Sequence, residues 1–307
     1  MSDQHQARTA TLVVGATGDL GGRVVRELLA SGNPVRALVR DESDPTALVA
    51  RGVDVVRGDL LDPASLDRAL DGVGALITTA QGYMPRRKGD SLAAVDDRGN
   101  RNLVDAARRA RLDQFVFTSV LGADKARGVP QFWQKKLIED HLEASGVPFV
   151  ALRPGAFIGG AHDYWARDLK KGRLTALGKA EVPVSSVHID DVARYLARAV
   201  EEPQALGRRI DIGMDRALSF KDLAEIFSRL LDQPIKLRTI PWTPVNTAMA
   251  LGGVLSPRIR DFRAMLAFFA SGQSVANTAQ QAELFGSVPT AEETLHRYLR
   301  EAGLRAP

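Results

Sequence analysis

The chain has 307 residues, of which 45% are hydrophobic and 25% are charged, and its formal net charge at pH 7 is +4. This composition is typical of a globular protein with a sizeable core, arranged as one large or two modest domains. It excludes disulfides and thiolate chemistry because the chain has no cysteine, and its basic residues do not form the clustered stripe that nucleic-acid binding requires.

The first predicted elements are a buried strand at residues 11–14, a glycine-rich turn and a helix over residues 23–30, whose apolar residues recur at a helical period. The spacing G-x-x-G-x-x-G in this context indicates phosphate binding. Glycines let the backbone approach an anion closely, and the first-turn N–H groups of the next helix point at it. The turn consists of Gly15, Ala16, Thr17, Gly18, Asp19, Leu20 and Gly21.

A second predicted strand, residues 34–40, ends in Arg40. In a dinucleotide-binding βαβ unit the residue at this point faces the adenosine ribose, where an acid favours NAD and a base accommodates the 2′-phosphate of NADP. Arg40 therefore favours NADP(H). NAD(H) is the alternative, if Arg40 is a solvated charge and Asp41 binds the ribose.

Strands are predicted next at 53–56, 74–78, 115–119 and 149–153, alternating with helices that include one long helix over 92–110. Alternation of this kind predicts a Rossmann-type α/β fold, a doubly wound parallel sheet with helices on both faces. Ligands bind such sheets outside the carboxyl ends of the strands. Beyond the glycine turn and Arg40, the candidates at these ends are Asp59, Leu60, Thr79, Ala80, Gln81, Ser119, Pro154 and Gly155.

The pattern after residue 154 is less regular. Strands are predicted at 182–187, 209–212 and 235–240, and a helix capped by Asp190 is predicted to end at residue 200. Ser219 and Thr290 each begin a capping box, which indicates the start of a helix. The chain from residue 244 onward is predicted to be mainly helical.

These elements predict a dinucleotide-binding Rossmann domain at residues 8–154 and a smaller, mixed C-terminal substrate-binding region at 155–307. The helix around 190–202 is expected to return to the Rossmann core. The apolar segment 245–270 is interpreted as a substrate lid, a subunit contact or core. A peripheral membrane contact is a further alternative because of the nearby residues Arg258, Arg260 and Arg263.

Six segments in the first 160 residues carry a family resemblance, at 13–21, 36–40, 58–60, 100–103, 115–119 and 152–155. Together they resemble the atypical short-chain dehydrogenase/reductases, in particular the NmrA-like and isoflavone-reductase-like branch. The resemblance implies an NAD(P) cofactor that supplies hydride chemistry. It also implies that Asp59 and Leu60 flank the adenine, and that the ribose and nicotinamide are lined by Thr79, Ala80 and Gln81.

The catalytic pattern departs from the wider family, in which a tyrosine four residues before a lysine is the general acid and a serine or threonine lies nearby. Matching that lysine to Lys135 puts Gln131 at the tyrosine position, and matching it to Lys136 puts Phe132 there. The serine position falls at or next to Ser119. Lys135 is the catalytic candidate, as ribose anchor and proton donor; the alternative is an exposed helix lysine.

Two functions of different classes fit these residues. The first is an NADPH-dependent reductase of a small apolar carbonyl, enone or quinone, in which Tyr83, Tyr164 or His162 could replace the missing acid. The second is an NADP(H)-sensing regulatory protein with little or no turnover, as in some members of the branch.

Other patterns are absent from the sequence. The histidines show no H-x-x-x-H pairing, so no metal site is expected. The first residues lack the apolar core of a signal peptide, and no apolar stretch reaches about 18 residues, so a cytoplasmic protein without an integral membrane segment is expected. The expected partner is a small-molecule substrate and not a nucleic acid, and the expected state is a monomer or homodimer.

Overall fold

The computed structural model of the chain describes residues 10–83, 88–161, 165–286 and 288–304. Its strands are β1 (Ala10–Val14), β2 (Val35–Val39), β3 (Asp54–Arg57), β4 (Val73–Thr78), β5 (Gln114–Thr118), β6 (Phe149–Pro154), β7 (Ala156–Ile158), β8 (Arg173–Leu177), β9 (Ser186–His188), β10 (Arg209–Ile212) and β11 (Lys236–Ile240).

The α-helices are α1 (Asp19–Ala30), α2 (Thr46–Val49), α3 (Pro63–Leu70), α4 (Asn100–Ala110), α5 (Pro130–Ser145), α6 (Ala166–Leu169), α7 (Ile189–Ala199), α8 (Phe220–Leu230), α9 (Trp242–Leu255), α10 (Pro257–Ala270), α11 (Ala279–Phe285) and α12 (Ala291–Glu301). A π-helix covers Leu92–Gly99, and a short 3-10 helix covers Pro203–Ala205. None of the helices in the described ranges has the length and apolar character needed to cross a membrane.

Seven strands form one sheet in the order β10-β6-β5-β4-β1-β2-β3. All pairings from β3 across to β6 are parallel, which confirms the predicted Rossmann-type α/β fold. The chain winds outward from β1 to β2 and β3 on one side and continues from β4 on the other. This reversal of strand order between β1 and β4 is where open parallel sheets bind ligands, outside the carboxyl ends of the strands.

The apolar runs become strands because both faces of the sheet are covered, as a parallel sheet requires. Phe115, Val116 and Phe117 of β5 are completely buried, as are Leu12 and Val13 of β1. The two predicted capping boxes, at Ser219 and Thr290, are both formed. At the start of α3 the Asp62 carboxylate accepts a hydrogen bond from the Ala64 N–H.

The prediction of one continuous helix over 92–110 is wrong. The chain forms the π-helix Leu92–Gly99 and then α4. The wider turn is stabilised by Asn100, whose buried side-chain amide donates to the carbonyls of Val95 at 3.0 Å and Asp96 at 3.3 Å. Hydrophobic periodicity does not indicate this change. The hydrogen-bond spacing of the two helix types differs by only one residue, and the π-helix is only eight residues long.

The predicted strand at 182–187 is also wrong in extent. Only β9 pairs in parallel with β7, while Val184 forms an isolated antiparallel bridge with Leu218. The helix that follows begins at Ile189, so Asp190 lies in its first turn and is not its cap. Between 155 and 181 the sequence analysis missed β7, β8 and α6, since these elements have only three to five residues each.

The chain divides into two compact units that alternate along the sequence. The first contains Met1–Ser119, Gln134–Leu152 and Asp190–Arg209. The second contains Val120–Trp133, Arg153–Ile189 and Ile210–Pro307. Each has its own apolar core, one around β1, β4 and β5 and the other around α8 and α12. All residues of the site built below belong to the first unit, unless the second is named.

Candidate functional site

In the turn after β1, backbone segments approach each other so closely that only glycine fits at two positions. Gly15 has a φ of +86°, and a Cβ there would lie 2.6 Å from Thr79 Oγ1. At Gly21, a Cβ would lie 2.1 Å from the carbonyl oxygen of Gly15. The turn is closed by the Gly18 N–H, which donates to the Gly15 carbonyl at 2.8 Å. The structure therefore brings β1, α1 and the end of β4 together at the point where the strand order reverses.

The same turn presents the N-terminus of α1, whose cap residue Gly18 contributes no side-chain hydrogen bond. The first N–H groups of a helix have no acceptor within the helix and favour an anion. The negative charge of Asp19 beside this helix end is offset by Arg23, whose Nε donates to the Asp19 carboxylate at 2.8 Å. Ala16 is buried and Thr17 is exposed, while Leu20 is half-buried.

The end of β4 is held against β1 by Thr79. Its backbone N–H and its hydroxyl both donate to the Val14 carbonyl, at 3.0 Å and 3.2 Å. Thr79 and Ala80 are half-buried, whereas Gln81 is exposed. These three predicted residues follow β4, the sheet neighbour of β1, so they lie beside the glycine turn.

Arg40 follows β2 and pairs with an acid that the sequence analysis did not identify. Its Nη1 donates to both carboxylate oxygens of Asp90, at 3.0 Å and 3.2 Å, and the Asp90 side chain is buried. A second arginine, Arg57 at the end of β3, donates to the carbonyls of Arg40 at 2.6 Å and Ser43 at 2.9 Å. Arg57 thus holds the loop after β2. A guanidinium carries five N–H donors, so Arg40 can bind Asp90 and a further anion together.

Asp59 and Leu60 form a fixed turn after β3. The Asp59 carboxylate accepts from the Leu61 N–H at 2.8 Å, and its backbone N–H donates to Ser65 Oγ at 3.0 Å. Leu60 is buried, and its carbonyl accepts from the Asn102 side chain at 3.0 Å. These contacts fix the turn, in which the apolar Leu60 lies next to the acidic Asp59.

Lys135 of α5 is largely enclosed, so it is not the exposed helix lysine that was the alternative reading. Its side chain is 13% exposed, and its Nζ lies 3.7 Å from Asp96 Oδ1 and 5.0 Å from the centre of the Phe117 ring. Lys136 instead forms an ion pair with Asp140 one turn further along the helix. Burial lowers the pKa of Lys135, while the charge of Asp96 acts in the opposite direction.

Asp96 is the most important residue that the sequence analysis missed. It lies on the π-helix with its side chain 2% exposed, and its Oδ2 accepts from the Gly82 N–H at 2.6 Å. Burial raises the pKa of this carboxyl group, against the effect of Lys135. One signal was present in the sequence, because Asp96 occupies an apolar position of the predicted helix, four residues after Leu92 and seven before Leu103.

Ser119 is part of a buried ion-pair network. Its hydroxyl donates to Glu139 Oε1 at 2.5 Å, and Arg209 Nε donates to Glu139 Oε2 at 3.1 Å. The Glu139 side chain is completely buried. The hydroxyl that the sequence analysis considered for the family's serine position is therefore used to solvate this carboxylate.

The network provides a stability test. We expect Arg209→Ala to lower the free energy of unfolding by about 1–3 kcal/mol, because it removes a charged hydrogen-bond donor from the buried Glu139 carboxylate. Urea denaturation measures the change. Arg229→Ala is the control, since it removes an exposed ion pair with Glu292 and should have little effect. Equal losses in the two variants would contradict this role of Arg209.

Neither of the two residues matched to the tyrosine position of the wider family, Gln131 and Phe132, is a tyrosine. Gln131 is buried, and its Nε2 donates to the Asp261 carbonyl at 3.4 Å within the second unit. Its Oε1 is buried and has no hydrogen-bond partner among the described residues. Phe132 packs edge-on against Phe268 at a centroid distance of 5.7 Å. Neither side chain can supply a phenolic proton.

A role in the site stays a prediction for the remaining candidates, which are Pro154, Gly155, Tyr83, Tyr164 and His162. Pro154 and Gly155 lie in the second unit, where the Gly155 N–H donates to the Ile212 carbonyl at 2.9 Å. Tyr83 is half-buried, at the end of a described range. Tyr164 and His162 lie outside the described residues.

Comparisons with known proteins give a consistent family. Residues 8–290 match the NmrA-like family. The photosystem II assembly factor Ycf39 of Cyanophora paradoxa is 28% identical over 230 residues, which cover 75% of this chain and 71% of that protein. The NAD(P)H azoreductase of Xenophilus azovorans is 27% identical over 241 residues, which cover 78% of this chain and 79% of that protein.

The fold also has solved relatives. The crystal structure of Citrobacter sp. triphenylmethane reductase complexed with NADP(H) has a TM-score of 0.75 to this chain at 22% identity. The match covers 94% of this chain and 100% of that one, so the two proteins share their fold.

Proposed function

The chain belongs to the NmrA-like family, and we propose that it binds NADP(H) where β1 and β4 meet and reduces a small apolar carbonyl, enone or quinone. The observation that carries the proposal is the glycine turn. A Cβ at Gly15 or Gly21 would overlap atoms of Thr79 or Gly15, so this surface is lined by backbone and a helix N-terminus, which fits a pyrophosphate.

The proposed contacts follow from the ends of the strands. Arg40 binds the 2′-phosphate, Asp59 and Leu60 flank the adenine, and the residues after β4 line the ribose and nicotinamide. Substrate selection is assigned to the second unit. The names of an NAD(P)H azoreductase among the relatives and an NADP(H)-bound reductase among the solved folds support this reading.

A bound reduced nicotinamide would supply the hydride. The chain itself has to hold the dinucleotide, exclude water and deliver a proton to the reduced oxygen. Lys135 is the candidate for the proton, because its ammonium is buried and its pKa is lowered toward the range in which a donor works. Asp96, at 3.7 Å from Nζ, keeps that ammonium charged in its buried position.

Turnover is tested by measuring NADPH oxidation against a panel of quinones, enones and aldehydes. Substrate-dependent oxidation supports the reductase. Tight binding of NADPH with no oxidation by any class would overturn it in favour of an NADP(H)-responsive regulatory protein. That second function is favoured by Gln131 at the tyrosine position and by similarity to a protein named as an assembly factor.

Arg40→Ala tests the cofactor preference. We expect NADP(H) affinity to fall about tenfold or more and NAD(H) affinity to change little, because only NADP(H) carries the 2′-phosphate and charge-assisted hydrogen bonds contribute about 1.5–3 kcal/mol. Fluorescence titration of both cofactors against both proteins measures this. If the unmodified protein binds NADP(H) and NAD(H) equally, the assignment of Arg40 is wrong.

A further inference from the structure

Helices α9 and α10 form a helical hairpin with a turn at Ser256. The helices approach closely near the turn, where a Cβ at Gly253 would lie only 3.2 Å from Arg260 Cβ. At the other end of the hairpin, Phe268 and Phe269 pack against Phe132 at centroid distances of 5.7 Å and 6.0 Å. The hairpin is therefore anchored at its base within the second unit.

The turn end of the hairpin is apolar and open to solvent. No residue of α9 is buried. The exposed fraction is 70% for Leu251, 82% for Val254 and 91% for Leu255. These positions are spaced as i, i+3 and i+4, so they form one continuous face. We call these three residues, together with the exposed Ile259 and Phe262 of α10, the apolar tip. Other exposed large hydrophobic residues, such as Val49 and Leu206, are scattered along the chain.

Basic side chains follow the apolar residues of α9 in the chain. Arg258 and Arg260 are exposed on the first turn of α10, and the half-buried Arg263 follows one turn later. Arg260 Nε donates to Asp261 at 3.2 Å and Arg263 Nε donates to the Asn246 side chain at 2.7 Å, which leaves the other guanidinium donors of both residues for an anion. Asp261 is the only acidic residue between positions 233 and 282, whereas the basic residues there are Lys236, Arg238, Arg258, Arg260 and Arg263. An apolar face bordered by arginines is typical of a helix that lies in a lipid headgroup region.

The charge pattern distinguishes among occupants of the apolar tip. A second copy of the chain in a two-fold contact would bring the same surface against itself, so the arginines of both copies would face each other. An anionic lipid surface offers acyl chains to the leucines and phosphates to the arginines at the same depth. Each helix has 14 residues, too short to span a bilayer but suited to lie in one leaflet.

We propose that the apolar tip of the α9–α10 hairpin inserts into the headgroup region of an anionic lipid membrane, with Arg258, Arg260 and Arg263 on lipid phosphates. The chain then binds reversibly at a membrane surface through this hairpin. The proposal does not depend on turnover or on the cofactor, since it rests on the exposed face and its charges alone.

Vesicle co-sedimentation at low ionic strength tests the proposal with the full chain. We expect binding to phosphatidylcholine–phosphatidylglycerol vesicles, little binding to phosphatidylcholine alone, and a marked loss of binding in high salt. Leu255→Glu and Arg258→Glu should each weaken binding to the anionic vesicles at least tenfold. Val49→Glu is the control for an exposed apolar residue elsewhere and should bind like the unmodified protein.

Two results of the vesicle experiment would contradict the proposal. Absence of binding to anionic vesicles, or equal binding by Leu255→Glu, would overturn the proposal. Size-exclusion chromatography adds a second readout: a dimer that Leu255→Glu converts to a monomer, without vesicle binding, would assign the apolar tip to a second copy. Thermal unfolding checks that each variant is folded, which is expected because the substituted side chains are exposed.

Discussion

Gly21→Ala is expected to reduce NADP(H) affinity by roughly 100-fold or more, which corresponds to about 2.7 kcal/mol. The added Cβ would lie 2.1 Å from the Gly15 carbonyl oxygen and 2.9 Å from Thr79 Oγ1. The carbonyl belongs to the backbone of the turn, so it cannot move without separating α1 from β1. The N–H groups that face the pyrophosphate would be displaced with the helix. Fluorescence titration with NADPH measures the loss.

Gly22→Ala is the matched control for this prediction. A Cβ at Gly22 meets only the Ala16 carbonyl, at an ordinary 3.4 Å. Alanine within a helix is more favourable than glycine by about 0.5–1 kcal/mol, so this variant should bind NADPH normally and unfold at a slightly higher temperature. If Gly22→Ala loses affinity as strongly as Gly21→Ala, the effect is not caused by the close approach of α1 to β1.

Lys135→Met should lower kcat/KM by on the order of 100-fold, the usual effect of a missing general acid. Methionine keeps most of the buried volume but removes the ammonium beside Asp96. The control is Lys136→Met, because Lys136 is paired with Asp140 on the same helix. Steady-state kinetics on the best substrate of the panel measures both variants. Unchanged turnover in Lys135→Met would exclude Lys135 as the proton donor.

The pH profile separates proton donation from a structural role. Activity requires the charged ammonium, so it should fall as pH rises through the pKa of Lys135, which burial places below the ordinary lysine value. Asp96→Asn removes the charge that raises this pKa. The alkaline fall in activity should therefore move to lower pH in Asp96→Asn. A profile that keeps its position would show that Asp96 does not act through Lys135.

Local sequence patterns predicted the first half of the fold well. The run at 11–14 and the glycines at 15, 18 and 21 each depend on neighbours a few residues away, and the structure has the corresponding strand and turn. The prediction was weaker in the second half, where β7 and β8 are short and pair only with distant strands. Short strands carry too few residues to show a period.

The candidate site was only partly predictable. The sequence placed the glycine turn and Arg40 at strand ends, and strand-end positions converge in any parallel sheet. It did not reveal Asp90 or Arg57, which reach Arg40 across 50 and 17 positions of the chain. It also left the lysine of α5 undecided between two adjacent residues.

The sequence by itself determined the fold class and the glycine turn, because hydrophobic period, helix caps and the steric freedom of glycine are local properties. The tertiary structure decided which charges are buried. The Lys135 side chain lies beside the buried carboxylate of Asp96, whereas the Lys136 side chain pairs with the more exposed Asp140. The Ser119 hydroxyl donates to the buried Glu139 carboxylate. The protonation of a buried group depends on desolvation and on charges contributed by distant segments. Those distances exist only once the chain is folded, so the chemistry of Lys135 could be proposed only from the structure.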